Sequence, residues 1–591
     1  MRSTLADLTG SPLLSPRVAY FSMEIGLDPA MPTYSGGLGV LAGDALRAAA
    51  DLKMPLVGMS LLHRKGYLRQ HVDEQGDQWE SDAIWSPEHF LQPLQPLVAV
   101  AIEGRQVWVR AWRYLVRGAS GYTVPVYFLD TALPENSPSD QTLTDHLYGG
   151  DSRYRLCQEA VLGPGGVAML RALGHDGIRV FHMNDGHSAL LTLALLEEQT
   201  WGRGLNAMTK YDLDSVRRRC VFTTHTPVEA GLDRFSRALA DQVLGEDRVM
   251  ALAAAGCLRD DSLDMTYLAL SLSRYVNGVS MRHEDIARSM FPTYSINSVT
   301  NGVHAATWTS PPFRRLYDRH IPEWRRDNLY LRYAVGIPLE EILQAHLEAK
   351  QDLLTEVQRR TGIRLDQAAM TIGFARRASA YKRADLLFSD LQRLKRIARE
   401  VGPLQLIYAG KAHPQDVGGK HQIRRIFEAA AALEDSVPVV FLEDYDMALA
   451  KYICAGVDLW LNTPQKPLEA SGTSGMKAAL NGVPSLSVPD GWWIEGHVEG
   501  ATGWSIGDGW ETEVQPAEEI NSLYEKLEKD ILPLFYKRPR GYAQVMRSAI
   551  ALNGSFFNAQ RMMTQYALHA YHAAGAYVLD SIDGGNEGTG Q

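Results

Sequence analysis

The residues best suited to chemistry lie in one stretch, 467–489, where a run of small residues leads to a lysine. The run covers residues 471–475 and follows the carboxylate of Glu469, and Lys477 stands just beyond it among apolar neighbours. Asn481 and Gly482 predict the end of the helix that contains the lysine. A small-residue loop that enters a helix leaves backbone N–H groups unpaired at the positive end of the helix dipole, so it can bind an anion.

A lysine inside such a helix can be a neutral amine, because apolar surroundings lower its pKa. An anion pocket beside a neutral amine is what pyridoxal phosphate (PLP) requires, since this cofactor carries a phosphate group and an aldehyde that bonds to a lysine. The alternative is that the small residues only make a tight strand-to-helix turn, because short glycine-rich patterns recur by chance.

A second candidate is a cluster of four cations in eight residues, directly after a predicted strand at 371–374. The cations are Arg376, Arg377, Lys382 and Arg383. Arginine binds phosphate through two parallel N–H groups and lysine binds it as a point charge, so the cluster suits a phosphate site. The alternative is a solvated helix face, which is the usual role of a charge run.

Glycines 36, 37 and 39 precede a predicted helix and form a third candidate. Without side chains, they let the backbone approach an anion at the helix N-terminus. A plain glycine turn is the alternative.

Three further polar segments follow predicted strands or mark turns. Asp185 ends one strand, where capping of a helix is the alternative role. His225 follows another strand and precedes Pro227, where a structural histidine is the alternative. Asn301 lies in an Asn-Gly turn, which without context is an ordinary loop.

The elements that must position these residues alternate between strand and helix, which indicates parallel sheets with crossover helices. Strands are predicted at 18–21, 179–182, 220–224, 371–374, 405–408, 439–442 and 458–461, with an antiparallel excursion over 63–130. Ligands of such sheets bind at the carboxyl ends of the strands, where each of these candidates falls.

We therefore predict an α/β fold with two Rossmann-like domains that face each other across a cleft. The predicted divisions are an N-terminal arm (1–16), an N-terminal domain (17–310), a C-terminal domain (311–575) and a disordered tail (576–591). Within the C-terminal domain, 311–365 is a helical bridge and 540–575 are closing helices.

Composition excludes several classes of protein. The 591 residues predict more than one domain. The net charge of −10 argues against a nucleic-acid surface. The four cysteines form no CxxC pair and give no metal or disulfide signature. No secretory signal and no apolar run of about 20 residues, the length of a membrane span, is evident. We expect a cytoplasmic protein.

The segment EASGTSGMK, residues 469–477, resembles the lysine segment of the α-glucan phosphorylases of glycogen, starch and maltodextrin. The other segments match the same family in the same order: SGGLG, FHMNDGH, FTTHT, VTNGVHAATW, RRASAYKR and FLEDYD. The match is best to its short bacterial and archaeal members. The resemblance implies the GT-B arrangement of the two domains, with PLP carried by Lys477.

The resemblance also assigns roles residue by residue. It implies that the reacting groups are held by Lys477, Arg377, Lys382, Gly37 and His225. It implies PLP contacts from Arg376, Tyr445, Thr473, Ser474 and Gly36. It implies sugar contacts from Glu469, Ser471, Gly472, Asn301, Tyr381, Asp185 and Asp151. No metal is implied. Asp446 stands where longer members have an arginine, and we interpret it as the N-cap of a helix.

The implied activity is phosphorolysis of terminal α-1,4-glucosidic bonds, which converts α-glucan and inorganic phosphate to α-D-glucose 1-phosphate with retained configuration. A nucleotide-sugar-dependent GT-B glycosyltransferase related to glycogen synthase is the alternative, because it shares the fold and the anion loops but needs no PLP lysine. A catalytically silent glucan-binding relative is a third hypothesis. Homodimers are common in the family, but no interface is predicted.

Overall fold

Two large sheets organise the described part of the chain. The structure is a computed structural model that describes residues 17–228, 232–507, 509 and 515–572. The predicted N-terminal arm and the predicted disordered tail lie outside the described residues.

The first sheet has nine strands and is centred on β1. Its order is β14-β13-β9-β8-β1-β2-β7-β6-β5, and β1 pairs in parallel with β2 and β8. Strands β1 and β2 are buried along their whole length. Such burial is typical of apolar strands in a parallel sheet that is covered on both faces. The strands encoded before residue 300 are β1 Val18–Phe21, β2 Leu56–Leu61, β3 Arg69–Val72, β4 Gln78–Ser81, β5 Gln92–Ile102, β6 Arg105–Arg117, β7 Thr123–Asp130, β8 Val180–Asn184, β9 Cys220–Thr223, β10 Arg234–Ser236, β11 Leu258–Arg259, β12 Ser262–Asp264, β13 Tyr275–Gly278 and β14 Asn297–Ser298.

The predicted antiparallel excursion is confirmed. Strand β6 pairs antiparallel with β5 and with β7, and both extend the first sheet. Strands β3 and β4 form a separate two-stranded hairpin, and β10, β12 and β11 form a small three-stranded sheet.

The second sheet has six strands in the order β17-β16-β15-β18-β19-β20, all parallel. Its first strand, β15, lies between β16 and β18. The chain adds β16 and β17 on one side of β15 and then returns to add β18, β19 and β20 on the other side. Such a switch point is where parallel sheets bind ligands. The strands are β15 Met370–Ala375, β16 Leu404–Ala409, β17 Val439–Leu442, β18 Leu459–Asn462, β19 Ser485–Ser487 and β20 Gly503–Ser505. The predicted α/β fold with two such sheets is confirmed.

Helices connect and cover these strands. In chain order they are α1 Gly37–Asp51, α2 Pro138–Gln141, α3 Ser152–Ala160, α4 Gly166–Ala172, α5 Leu191–Gln199, α6 Lys210–Arg217, α7 Arg237–Leu244, α8 Glu246–Ala254, α9 Met265–Ser271, α10 Met281–Met290, α11 Ala305–Trp308, α12 Pro311–His320, α13 Leu339–Thr361, α14 Leu391–Glu400, α15 Val417–Leu433, α16 Met447–Gly456, α17 Ser474–Ala479, α18 Trp493–Gly496, α19 Pro516–Glu525, α20 Leu532–Lys537, α21 Pro539–Ser548 and α22 Ala559–Gln565. The predicted helical bridge contains α12 and α13.

The last helix returns to the first sheet. Met562 of α22 and Tyr571 beyond it share an apolar cluster with Val18 and Tyr20 of β1. Tyr571 is also hydrogen-bonded through its hydroxyl to Nδ1 of His182 in β8, at 2.7 Å. The predicted domain boundaries are not tested by this packing and stay predictions. Within the described residues, no helix is long and apolar enough to cross a membrane.

Candidate functional site

Lys477 lies in the short helix α17, which begins after a loop that Gly472 turns with a φ of 75°. The side chain is buried, and its Nζ lies 4.0 Å from the ring centroid of Trp308. Trp308 Nε1 in turn donates to Asp44 Oδ2 at 2.7 Å. Nζ has no hydrogen-bond acceptor among the described residues, and burial lowers the pKa of the amine. Lys477 therefore presents a buried amine to which no residue in the described part of the chain is bonded.

The predicted end of this helix is also found. Gly482 adopts a φ of 69°, and Asn481 Nδ2 donates to the carbonyl of Lys477 at 3.0 Å and to that of Trp308 at 2.9 Å. These contacts fix the helix that carries the lysine against the segment that carries the indole beneath it.

The cation cluster at the end of β15 divides into different roles. Arg376 Nη2 and Lys382 Nζ both donate to Oε2 of Glu469, at 2.6 and 2.5 Å, and all three side chains are buried. Burial alone would raise the pKa of Glu469, but the two cations hold it at about 2. Burial and the charge of Arg376 lower the pKa of Lys382 to about 7 in spite of Glu469. The loop that ends β18 is thereby tied to the cations that follow β15.

Arg377 differs from its neighbours because its side chain is exposed. It makes no hydrogen bond or ion pair with any described residue. Its guanidinium lies within electrostatic range of Tyr381 on its own side and of Tyr67, Glu24 and Tyr148, which belong to the half of the chain that forms the first sheet. Arg377 is thus a cation without a partner in the described part of the chain, within electrostatic range of residues from both halves.

Arg383 belongs to the cluster in sequence only. It adopts a φ of 46° and donates to the carbonyls of Thr463 and Pro464 at 2.9 and 2.8 Å, and to Glu519. These contacts make it a structural residue of the loop behind the site.

The glycine loop begins helix α1, with Gly36 as the N-cap. A Cβ built on Gly36 or Gly37 would meet no atom within 4 Å, so open space lies in front of both. Glu24, which the sequence motifs did not single out, accepts from the backbone N–H of Ser35 at 2.6 Å and of Gly36 at 3.3 Å. This carboxylate already uses part of the loop, whereas Gly37 is exposed.

Three predicted sugar-contacting residues show different environments. Asp185 is buried with a φ of 76°, its side chain makes no helix-capping hydrogen bond, and burial raises its pKa. Asn301 is buried, and its Oδ1 has no partner among the described residues. Asp151 is exposed and caps α3 through Oδ1, which accepts from Tyr154 N at 2.8 Å.

Within the described residues, the ring of His225 forms one hydrogen bond. Its Nε2 is hydrogen-bonded to Asn184 Oδ1 at 2.7 Å, and burial together with the neighbouring His283 lowers its pKa to about 3. The imidazole is therefore neutral at physiological pH and can serve as a hydrogen-bonding group.

The remaining predicted residues surround the lysine loop. Ser471 Oγ donates to the carbonyl of Gly472 at 3.0 Å, and Ser474 Oγ accepts from Trp460 Nε1 at 3.1 Å. Thr473 is the N-cap of α17 without a side-chain capping bond. Tyr381 places its ring centroid 4.4 Å from Lys382 Nζ.

Helix α16 begins close to both sheets. Tyr445 is half-buried just before it, and Asp446 caps it as predicted, since its Oδ1 accepts from Leu449 N at 2.8 Å. The hydroxyl of Tyr34, beside the glycine loop, accepts from Met447 N at 2.9 Å. The start of α16, which follows β17 of the second sheet, thus contacts the segment beside the glycine loop of the first.

Comparison with known proteins adds an independent finding. A family model described as carbohydrate phosphorylase matches residues 205–503. The chain is 38% identical to the maltodextrin phosphorylase of Thermococcus litoralis over 97% of this chain and 72% of that protein. It is 35% identical to the glycogen phosphorylase of Aquifex aeolicus over 93% of this chain and 85% of that protein. It is also 35% identical to the glycogen phosphorylase of Mycobacterium tuberculosis, over 94% of this chain and 71% of that protein.

Proposed function

Because this chain belongs to the carbohydrate phosphorylase family, we propose that it is an α-glucan phosphorylase. Its substrates are a terminal α-1,4-linked glucan and inorganic phosphate, and its product is α-D-glucose 1-phosphate with retained configuration. The observation that supports this best is the buried amine of Lys477, which is bonded to no described residue and follows a loop that passes, at Gly472, beside Arg376 of the cation cluster after β15.

The residues around Lys477 fit PLP. Its amine has a lowered pKa and no acceptor among the described residues, so it is available to the cofactor aldehyde. Arg376 Nη1 is buried without a partner in the described part of the chain, and such a donor fits the phosphate group of the cofactor. When bound, PLP supplies a phosphate group that exchanges a proton with the substrate phosphate.

Inorganic phosphate is bound in this proposal by Arg377, Lys382 and the backbone of Gly37. Arg377 is free to form two parallel hydrogen bonds with a phosphate, and the exposed start of α1 adds the positive end of a helix dipole. Arg376 and Lys382 share the carboxylate of Glu469, and Arg377 forms no ion pair with any described residue, so positive charge remains available to a phosphate.

The glucosyl unit is bound by uncharged or fully ionised groups. Asn301 offers a buried oxygen without a partner, and His225 is neutral. Glu469 is ionised and paired with two cations, so it accepts hydrogen bonds from sugar hydroxyls and does not act as a general acid. We retain Ser471, Gly472, Tyr381, Asp185 and Asp151 as proposed sugar contacts. A cytoplasmic location and a homodimer remain predictions.

The decisive assay incubates the purified protein and PLP with maltodextrin and inorganic phosphate and measures glucose 1-phosphate. Formation of this product without any nucleotide supports the proposal. Glucan extension that requires a nucleotide sugar, with no phosphorolysis, would favour the glycosyltransferase alternative, and calorimetric binding of maltodextrin without turnover would favour a silent binding protein.

The pH dependence of phosphate use tests the role of Lys382. Because the pKa of Lys382 is about 7, the side chain is cationic below that pH and neutral above it. We expect kcat/KM for phosphate to fall on the alkaline side of about pH 7, since this ratio reports the ionisation of the free enzyme. In Lys382→Arg the cation persists at all working pH values, so the alkaline decrease should disappear even though the absolute rate is lower.

The corresponding control is kcat/KM measured over the same pH range with Arg396→Ala, which removes an exposed arginine on the outer helix α14. This variant should keep the alkaline decrease. An unchanged decrease in Lys382→Arg would show that another group causes it.

A further inference from the structure

The hairpin of β3 and β4 reaches from the first sheet's half of the chain to the second sheet. It lies in sequence between β2 and β5 but joins neither, and forms its own antiparallel pair with Arg69 opposite Ser81 and Val72 opposite Gln78. Although the hairpin is short, Gln70 and Gln78 are 1% and 8% exposed. Burial of a primary amide costs free energy, because the group loses its hydrogen bonds to water. Amides are therefore buried where hydrogen bonds within the protein compensate this loss.

Both amides are bonded to the backbone that follows β16. Gln70 Nε2 donates to the carbonyl of Gly410 and to Gln78 Oε1, both at 2.8 Å. Gln78 Nε2 donates to the carbonyl of Ala412 at 2.9 Å, and its Oε1 accepts from Ala412 N at 3.0 Å. A second reciprocal pair joins Gln70 to Asp444, whose N–H donates to Gln70 Oε1 at 2.9 Å and whose Oδ1 accepts from Gln70 N at 3.1 Å.

The backbone held in this way supports the segment that carries the cations. Arg376 N donates to the carbonyl of Ala409 at 3.1 Å, and Ala378 N donates to that of Lys411 at 2.9 Å. Residues 378 and 412 continue the parallel pairing beyond the strands as an isolated bridge. At Gly410 the contact is so close that a Cβ would lie 1.9 Å from the carbonyl oxygen of Arg376. Residues 410–412 are thus bonded on one side to the hairpin and on the other to residues 376–378.

The two residues before the hairpin also contact the segment that follows β16. Lys411 Nζ donates to the carbonyl of Leu68 at 3.1 Å, and the adjoining ring of Tyr67 lies 6.1 Å from that of His413. Tyr67 is also within electrostatic range of Arg377. The hairpin and the two residues before it therefore contact residues 410–413, and residues 410–412 lie between the hairpin and residues 376–378.

We propose that Gln70 and Gln78 are positioning residues for phosphate binding: across the cleft, they fix the backbone that aims Arg376 and Arg377. This inference rests on the proposed function for its substrate. The two amides act through the backbone that they hold from the opposite side of the cleft, because neither amide contacts the cations directly. Loss of either amide should let residues 376–378 relax, and the site should then lose phosphate affinity more than glucan affinity.

The test compares Gln70→Leu and Gln78→Leu with the unmodified PLP-loaded enzyme. We expect KM for inorganic phosphate to rise about tenfold, the factor expected when one or two well-made hydrogen bonds cease to hold the site. KM for maltodextrin should change less than twofold. The effects of the two substitutions should not add in the double variant, because the amides are bonded to each other.

A matched control lies on the same hairpin. Asp77 near its tip pairs with Arg424 of α15, and both side chains are about half exposed. Arg424→Ala removes this cross-cleft contact without touching the amides, so it should leave KM for phosphate unchanged. Gln78→Asn, which is shorter by one methylene but still polar, should raise KM for phosphate in the same direction by a smaller factor and serves if the leucine variants do not fold.

Calorimetric titration with inorganic phosphate provides a second measurement that needs no turnover. Weaker phosphate binding by the glutamine variants with normal binding by Arg424→Ala supports the inference, even if the unmodified protein proves not to be a phosphorylase. Equal rises of both KM values, or unchanged phosphate binding, would overturn it and leave the hairpin as a docking element only.

Discussion

Lys477→Ala is expected to contain no covalently bound PLP and to have no measurable phosphorolysis. The buried amine of Lys477 has no acceptor among the described residues, and its lowered pKa makes it a nucleophile for the cofactor aldehyde. The measurement is the visible absorption spectrum of the purified protein, followed by borohydride reduction and mass mapping. One pyridoxyl group per chain is expected at residue 477 of the unmodified protein and none in the variant.

Lys477→Arg is a second variant that keeps a basic side chain of similar length. Its guanidinium lies beside the ring of Trp308 but cannot bond to the aldehyde, so this variant should also lack the pyridoxyl group. Lys382→Arg should retain the label at Lys477, because its own role concerns phosphate. A fully active Lys477→Ala protein, or a label on a different lysine, would contradict the assignment and favour the nucleotide-sugar enzyme.

The sheets were largely predictable, because their strands are continuous apolar runs bounded by turn residues. The predicted segments 18–21 and 439–442 coincide with β1 and β17, and the others agree within two residues at either end. The attachment of the antiparallel strands β5, β6 and β7 to the first sheet was not predictable, since it depends on the parallel pairing of β7 with β2, which lies far away in sequence and leaves little local signal. The return of α22 to β1 depends on contacts more than 500 residues apart in sequence.

The types of residue at the site could be predicted from the sequence, but the different role of each residue could not. Arg376, Arg377 and Arg383 look alike in sequence, yet one is buried against Glu469, one is exposed in the cleft and one supports a loop. Arg383 also differs from the other two in that its backbone adopts a left-handed conformation. Glu24 was not predicted, because a single carboxylate at the end of an apolar strand belongs to no recognisable motif. The signal that could have identified it is the glycine loop that follows, whose N–H groups need an acceptor.

Arg377→Ala is expected to lower kcat/KM for phosphate by roughly 100- to 1000-fold, the loss that removal of one charge-stabilising donor typically causes. Arg377 has no partner among the described residues, so the Tm should hardly change; substitutions of this kind usually alter stability by less than about 0.5 kcal/mol. The check is steady-state phosphorolysis at varied phosphate, together with thermal unfolding. Arg396→Ala is the control, because it removes another exposed arginine, on α14, and should behave as the unmodified protein does.

Arg377→Lys separates charge from geometry at the same position. A lysine keeps the positive charge but binds phosphate as a single point, whereas arginine offers two parallel N–H groups. If Arg377 binds phosphate directly, the lysine variant should recover only part of the activity lost in the alanine variant, and the recovery should appear in KM for phosphate. Full recovery would mean that a diffuse positive field is sufficient, and equal activity of Arg377→Ala and the unmodified enzyme would exclude Arg377 from the phosphate site.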